Sequence, residues 1–204
     1  MKLILLHGLG QTPAAWDVLR MDLQALQVEA PSVFSGADGV LTYKKIYDSL
    51  EKRYADEEVP LCLCGLSLGA VLALDFALRH REQVASLILC APQYRVPKWL
   101  IEVQNLMFRC MPSRAFADMG MSREDMISLT CSMKTLDFTD QLKNLTCPVT
   151  ILCGEKDTVN QKAAKELAAL LPQAKLAILP NAGHEINVDD PKALTAIVNQ
   201  VMYG

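Results

Sequence analysis

A single serine stands between two glycines in an otherwise apolar stretch, Gly65-Leu66-Ser67-Leu68-Gly69. An apolar, strand-like segment, Leu61–Cys64, precedes it, and the apolar segment Ala70–Arg79 follows it with helical length. At a sharp turn from strand to helix, a serine takes a strained backbone conformation that exposes its hydroxyl, and side chains two positions away would collide. Glycines at those positions remove the collision. The pattern therefore predicts a nucleophilic serine, the alternative being a turn serine that only caps the helix.

A serine hydroxyl is a weak nucleophile, so this interpretation requires a base and a group that orients the base. Of the three histidines, His7 ends the first apolar run, and His80 lies in the charged run RHRE, which is typical of a solvated helix end. His184 follows the last strand-like run, and a ring on that loop can reach the serine, so it is the predicted base. Asp157 comes just after the run Val149–Cys153 and is the predicted orienting acid, because parallel sheets gather functional groups at the carboxyl ends of strands.

The elements that must position these residues follow from hydrophobic periodicity. Short apolar runs alternate with segments of helical period, which predicts an α/β fold with a doubly wound, parallel sheet. The predicted strands are Lys2–Leu6, Val28–Val33, Leu61–Cys64, Leu87–Cys90, Val149–Cys153 and Ala174–Leu179. The predicted helices between them are Ala14–Leu26, Val40–Tyr54, Ala70–Arg79, Gln161–Leu171 and Lys192–Val201. Thr12-Pro13, Asn160 and Asp190-Pro191 supply helix start signals for three of these segments.

The stretch from about 94 to 145 breaks the alternation, because it contains helical pieces and no convincing strand. One predicted helix spans Pro97–Met111, and a second begins at Ser122. We interpret the stretch as a short helical cap inserted into a single domain that covers residues 1–204. Six of the nine methionines fall in it, and their flexible side chains suit a surface that packs around varied apolar ligands. The alternative is that they fill a small helical core.

Four residues are predicted to contact a substrate: Trp16, Trp99, Met107 and Met126. Trp16 lies soon after the first strand and could form a wall of the acyl pocket, and Trp99 begins the cap and could guard its entrance. A tryptophan at a contact between helix and sheet is also a common core residue, and that alternative stays open for both.

Composition excludes several classes of protein. The 204 residues are 51% hydrophobic with a net charge of −3, so the chain has no basic field to attract nucleic acid or an anionic membrane. We expect neither partner. The first apolar run breaks at His7-Gly8, too early for an export signal, and no window approaches the about 18 apolar residues of a membrane span. Seven cysteines without an export signal indicate a reducing compartment, so we expect a cytoplasmic protein. Neither a metal site nor a cofactor motif is predicted.

The chain resembles the α/β-hydrolase family, and within it small bacterial serine hydrolases of the carboxylesterase type. Four motifs carry this resemblance: His7-Gly8-Leu9-Gly10, Gly65-Leu66-Ser67-Leu68-Gly69, Gly154-Glu155-Lys156-Asp157 and Gly183-His184. The resemblance implies a triad of Ser67, Asp157 and His184, with backbone N–H groups of Leu9 and Leu68 forming an oxyanion hole. Most relatives have two further strands before the HG motif. This chain begins at that strand, so we expect six strands, all parallel.

The resemblance implies hydrolysis of esters with small or medium acyl groups through an acyl-enzyme intermediate. The same machinery also serves thioesterases, hydrolases of C–C bonds and a lyase of menaquinone synthesis, and fold alone does not separate them. The lyase alternative requires a cluster of arginines for a substrate with several carboxylates, and the cap contains Arg95, Arg109, Arg114 and Arg123. An alternative from another class is a non-catalytic receptor for small molecules. The sequence predicts no oligomeric state.

Overall fold

The computed structural model describes residues 1–23, 27–37, 39–117 and 121–204. Over these residues it contains one sheet of six strands, and every neighbouring pair in the sheet is parallel. The strands are β1 (Lys2–Leu6), β2 (Val28–Glu29), β3 (Leu61–Leu66), β4 (Val84–Cys90), β5 (Val149–Gly154) and β6 (Lys175–Leu179). Their order across the sheet is β2-β1-β3-β4-β5-β6, so the expectation of six parallel strands is confirmed.

Helices connect the strands. They are α1 (Asp17–Asp22), α2 (Tyr43–Tyr54), α3 (Leu68–Arg79), α4 (Lys98–Cys110), α5 (Ser113–Ala117), α6 (Arg123–Ser132), α7 (Thr158–Leu170), α8 (Ile186–Asp189) and α9 (Pro191–Tyr203), with 3-10 turns at Pro13–Trp16 and Thr139–Asn144. No helix in the described ranges is both long and apolar enough to cross a membrane.

Both faces of the sheet are buried, which explains why its central strands are apolar without alternation. Alternate residues such as Ile4 and Leu63 point to a core shared with α2, α3 and α7. Their neighbours, such as Leu5 and Cys64, point to a second core shared with α1 and α9. Helices thus cover the two faces of one parallel sheet, as a doubly wound fold requires.

The first crossover differs most from the prediction. The predicted helix Ala14–Leu26 is a 3-10 turn followed by the short α1, and Leu23 already has an extended backbone that leads the chain back to the sheet. The last three residues of the predicted helix, 24 to 26, lie outside the described residues. The predicted strand Val28–Val33 has only two paired residues, because it is an edge strand and Pro31 has no N–H to donate to a ladder.

Between β4 and β5 the chain forms α4, α5 and α6, and we refer to these three helices as the cap helices. Helix α6 begins as its sequence predicts, because the Ser122 hydroxyl accepts a hydrogen bond from the Asp125 N–H at 3.0 Å. Helices α4 and α6 pack against each other around buried Ile101 and Leu129. An antiparallel bridge between Arg95 and Asp137 joins the two ends of this segment.

Candidate active site

Ser67 lies at a sharp turn between the carboxyl end of β3 and the start of α3. Its backbone has φ 53° and ψ −110°, a conformation that a residue with a side chain rarely adopts. Cβ atoms at the flanking glycines would meet backbone: one at Gly65 would lie 2.2 Å from the Gly69 carbonyl oxygen, and one at Gly69 would lie 2.0 Å from the Leu6 carbonyl oxygen. The close packing of β1, β3 and α3 therefore holds Ser67 in this strained conformation. The turn presents the serine at the edge of the sheet.

Asp157 and His184 meet at the same edge of the sheet. Asp157 follows β5 and forms the N-cap of α7, so its carboxylate lies at the positive end of a 13-residue helix. His184 lies in the loop between β6 and α8. Its Nδ1 is 2.7 Å from Asp157 Oδ2, the distance of a hydrogen bond between an imidazole N–H and a carboxylate. This bond leaves Nε2 of the ring available to a second group.

The surroundings of Asp157 keep it ionised. The residue is only 8% exposed, and burial by itself raises the pKa of a carboxyl group. Hydrogen bonds from His184 and Asn160 oppose burial and prevail, so the pKa of Asp157 falls below its ordinary value. The sequence identified Asn160 as a helix start signal, but the cap of α7 is Asp157 itself, and Asn160 lies in the first turn.

A cavity of about 420 Å³ is lined by Ser67, Asp157 and His184 together. The other lining residues come from the loop after β1, α3, the loop after β4, the cap helices, the turn after α6 and the first turn of α7. They are Leu9, Leu68, Val71, Gln93, Val96, Leu100, Ile101, Val103, Gln104, Met107, Phe108, Thr130, Met133, Val159 and Asn160. Most are apolar. Among the described residues that line the cavity, only Asp157 and His184 are ionisable.

The two residues proposed from sequence for an oxyanion hole, Leu9 and Leu68, both line this cavity. Leu68 is the first residue of α3, so its N–H is one of the amides at a helix start that have no partner within the helix. Leu9 lies in the loop after β1. Gly8 of that loop donates its N–H to the Gln11 side chain at 3.3 Å and accepts from His7 Nδ1 at 2.9 Å.

Of the four predicted substrate contacts, only Met107 lines the cavity. Trp16 is fully buried with Leu3 and Leu19 in the core that the sheet shares with α1 and α9. The prediction that it forms a wall of the pocket is therefore wrong. The prediction for Met126 is also wrong, because this residue is 1% exposed and packs inside the cap helices; the methionines that line the cavity are Met107 and Met133. Trp99 is 60% exposed and lines a neighbouring surface cavity with Val159.

The other two histidines lie elsewhere. His7 is completely buried at the end of β1, where Nδ1 donates to the Gly8 carbonyl and Nε2 accepts from the Val33 N–H at 3.1 Å. Burial lowers the pKa of His7, which favours the neutral ring. Through its two hydrogen bonds the ring connects the loop after β1 with the segment that follows β2. His80 stacks on Phe76 and contacts Glu51 at 2.8 Å, on the far end of α3 from Ser67.

Fold and site together are those of an α/β-hydrolase, and comparison with known proteins agrees. The chain matches the alpha/beta hydrolase family over residues 3–197, and it belongs to that family. A pimeloyl-[acyl-carrier protein] methyl ester esterase from Aromatoleum aromaticum is 28% identical, and the match covers 99% of this chain and 98% of that protein. The chain is thus a carboxylesterase-like hydrolase by its relatives.

Two solved structures share the fold. A thermophilic esterase from Thermogutta terrifontis superposes with a TM-score of 0.78 at 22% identity, covering 99% of this chain and 89% of that one. The enol-lactonase from Burkholderia xenovorans superposes with a TM-score of 0.83 at 18% identity, covering 99% and 91%.

Proposed function

We propose that the protein hydrolyses carboxylic esters of small or medium acyl groups through a triad of Ser67, His184 and Asp157. The observation that supports this most is the 2.7 Å contact between His184 Nδ1 and Asp157 Oδ2 in the cavity that also contains Ser67. A base that is hydrogen-bonded to a buried carboxylate and shares a cavity with a strained serine is typical of serine hydrolases.

The chemistry proceeds in two halves. Ser67 Oγ attacks the ester carbonyl carbon while His184 Nε2 accepts the hydroxyl proton, and Asp157 stabilises the imidazolium that forms. The N–H groups of Leu9 and Leu68 stabilise the negative charge on the carbonyl oxygen, a contribution of about 3 kcal/mol for one such donor. The C–O bond then breaks, and the alcohol leaves with the proton from His184. Water then attacks the acyl carbon while the same imidazole accepts its proton. The bond from the acyl carbon to Ser67 Oγ breaks, the imidazolium returns the proton to Oγ, and the acid is released.

The composition of the cavity favours an uncharged substrate. A carboxylate buried without a partner costs several kcal/mol or more, and the described lining residues offer it no lysine or arginine. The arginines that the lyase alternative requires lie elsewhere, as Arg95 pairs with Glu166 at 3.8 Å and Arg123 donates to the Met111 carbonyl. These positions disfavour a substrate with several carboxylates.

The relative from Aromatoleum aromaticum is, by its name, an esterase of the methyl ester of pimeloyl-[acyl-carrier protein]. We therefore propose methyl esters of mid-length acids as the first substrates to test. Dimethyl pimelate, which is neutral, should be hydrolysed with a higher kcat/KM than monomethyl pimelate, whose free carboxylate finds no cation in the cavity. An equal or higher rate for the charged monoester would contradict the assignment of substrate class.

The decisive experiment compares the wild type with Ser67→Ala on p-nitrophenyl butyrate. We expect the variant to lose turnover down to the rate of the buffer, and we expect a fluorophosphonate probe to label the wild type at Ser67 and leave the variant unlabelled. A Ser67→Ala protein with the wild-type rate would refute the mechanism. A folded wild type that neither hydrolyses esters nor reacts with the probe would favour the receptor alternative.

A further inference from the structure

Asn160 contacts both members of the acid–base pair, although nothing in the proposed chemistry requires it. Its Nδ2 is 2.8 Å from Asp157 Oδ1, 2.8 Å from Asp157 Oδ2 and 3.1 Å from His184 Nδ1. The backbone N–H of the same residue donates to Asp157 Oδ1 at 3.3 Å. Asn160 is buried, at 8% exposure, so these contacts replace water around the carboxylate.

Gln93 fixes which way the Asn160 amide points. Gln93 lies in the loop after β4, and its Nε2 donates to Asn160 Oδ1 at 2.6 Å. The opposite orientation would turn Asn160 Oδ1 toward two carboxylate oxygens and its NH₂ group toward another NH₂ group, and both contacts repel. The amide therefore presents its hydrogens to Asp157, and Gln93 is the residue that holds it there.

The carboxylate of Asp157 is in turn fixed in rotation. Each of its oxygens accepts from Asn160 Nδ2, and Oδ2 additionally accepts from His184 Nδ1. When the imidazole carries a proton on Nδ1, Nδ1 and Asn160 Nδ2 are both donors that converge on the same carboxylate, and the 3.1 Å between them is a packing distance. Without Asn160, only the helix start and His184 would orient the acid.

We propose that Asn160, held by Gln93, is a positioning residue of the active site, which clamps the Asp157 carboxylate so that Oδ2 faces His184. The inference rests on the proposed function, because it assigns a role in the same triad. It extends the triad to a hydrogen-bonded chain of four side chains, Gln93, Asn160, Asp157 and His184, of which the middle two are buried and all four line the cavity.

The clamp has an electrical effect as well as a geometric one. Hydrogen bonds from Asn160 stabilise the ionised carboxylate of Asp157 and help to hold its pKa below the ordinary value. Without them the pKa of Asp157 would rise. Ionisable groups near the pair among the described residues include Glu185, which follows His184, Asp189 at the end of α8, which accepts from the Gly183 N–H, and Cys153 on β5. They stay the same in every variant compared below.

The test uses Asn160→Leu, which keeps the branched shape of the side chain and removes its hydrogen bonds. The matched control is Gln161→Leu in the same helical turn, because the Gln161 carboxamide donates to the carbonyls of Gly154 and Glu155 and not to the triad. On p-nitrophenyl butyrate we expect Asn160→Leu to lower kcat about 10- to 100-fold with KM unchanged, since a small misplacement of a catalytic group has that effect. We also expect the acid limb of its kcat/KM profile to move to higher pH, because Asp157 without these hydrogen bonds loses its proton only at higher pH.

Two further measurements keep the outcome decisive. Gln93→Leu retains Asn160 and removes only the hydrogen bond that orients its amide. We expect it to lower kcat in the same direction but by less, and it replaces Asn160→Leu as the test if that variant does not fold. Proton NMR of the wild type should show a low-field signal from the bond between His184 Nδ1–H and Asp157, and this signal should shift or disappear in Asn160→Leu but persist in Gln161→Leu. That readout does not depend on turnover.

The inference and the proposed function fail in different ways. If Ser67→Ala is inactive but Asn160→Leu matches Gln161→Leu in kcat, pH profile and low-field signal, the positioning role is refuted and the triad stands. If Ser67→Ala keeps the wild-type rate, the triad mechanism is refuted, and the NMR comparison still decides whether Asn160 positions the pair.

Discussion

Gly154 is the residue whose replacement tests most directly how the fold joins the acid to the base. It ends β5, three residues before Asp157, and it lies against the loop that carries His184. A Cβ atom at this position would be 2.0 Å from the Gly183 carbonyl oxygen and 2.5 Å from the Ala182 carbonyl oxygen. Both obstacles are backbone atoms, which cannot rotate away as a flexible side chain would.

The size of the effect of Gly154→Ala follows from these distances. Ordinary contact begins near 3.4 Å, so the two segments must separate by about 1.4 Å. If His184 moves with its loop, its 2.7 Å bond to Asp157 lengthens to about 4 Å and is lost. We expect kcat to fall about 10²-fold. Overpacking of this kind should also lower the free energy of unfolding by about 1–3 kcal/mol.

The assay is urea unfolding together with kcat and KM on p-nitrophenyl butyrate. Gly8→Ala is the matched control, because a Cβ atom at Gly8 of the HG motif would meet nothing closer than 3.4 Å. We expect that control to keep its stability and most of its activity. A folded Gly154→Ala protein with wild-type kcat would show that close contact between β5 and the histidine loop is not needed, and the reasoning would be wrong.

Three other predictions concern the site and its surroundings. Asp157→Asn should lower kcat about 10⁴-fold in a folded protein, because the amide favours the wrong tautomer of His184, and steady-state kinetics with a circular dichroism check would measure it. Burial lowers the pKa of His7, so the unfolded chain binds the proton more readily than the folded protein does. The contribution of His7 to the free energy of unfolding should therefore be constant above pH about 6.5 and fall as pH drops below it. Urea titrations from pH about 8 to 5 should show that slope in the wild type and a smaller one in His7→Gln. Met107→Glu should lower kcat/KM for p-nitrophenyl butyrate about 10-fold or more by placing a charge on the cavity wall, whereas Leu106→Glu, which is equally exposed but does not line the cavity, should leave it unchanged. Equal losses in the two variants would contradict that assignment.

The elements of the sheet could be predicted from the sequence because each leaves a local pattern. β1 has the predicted bounds, and β3 and β5 differ only at their carboxyl ends, since buried parallel strands are short apolar runs bounded by turn residues. The edge strand β2 and the short α1 were predicted too long. Their lengths depend on where the chain must return to pair with β1, and no local pattern records that.

The positions of Ser67, Asp157 and His184 were also local predictions, because each follows a strand and carries a recognisable motif. The sequence contained no comparable signal for Asn160, which reads as an ordinary polar residue at a helix start. The positioning role that we propose for it involves Gln93, which is 67 residues away in the chain and becomes adjacent only after β4 and β5 pair.

The sequence by itself determined which chemical groups are present and at which strand ends they lie, because strand, turn and helix signals act over a few residues. Only the tertiary structure decided which side chains surround them. Trp16 and Met126 match a substrate pocket in type yet lie in cores, whereas Val71, Phe108 and Met133 reach the cavity. The physical reason is that a helix has a fixed apolar face, but the surface that this face meets is chosen by packing between segments distant in the chain.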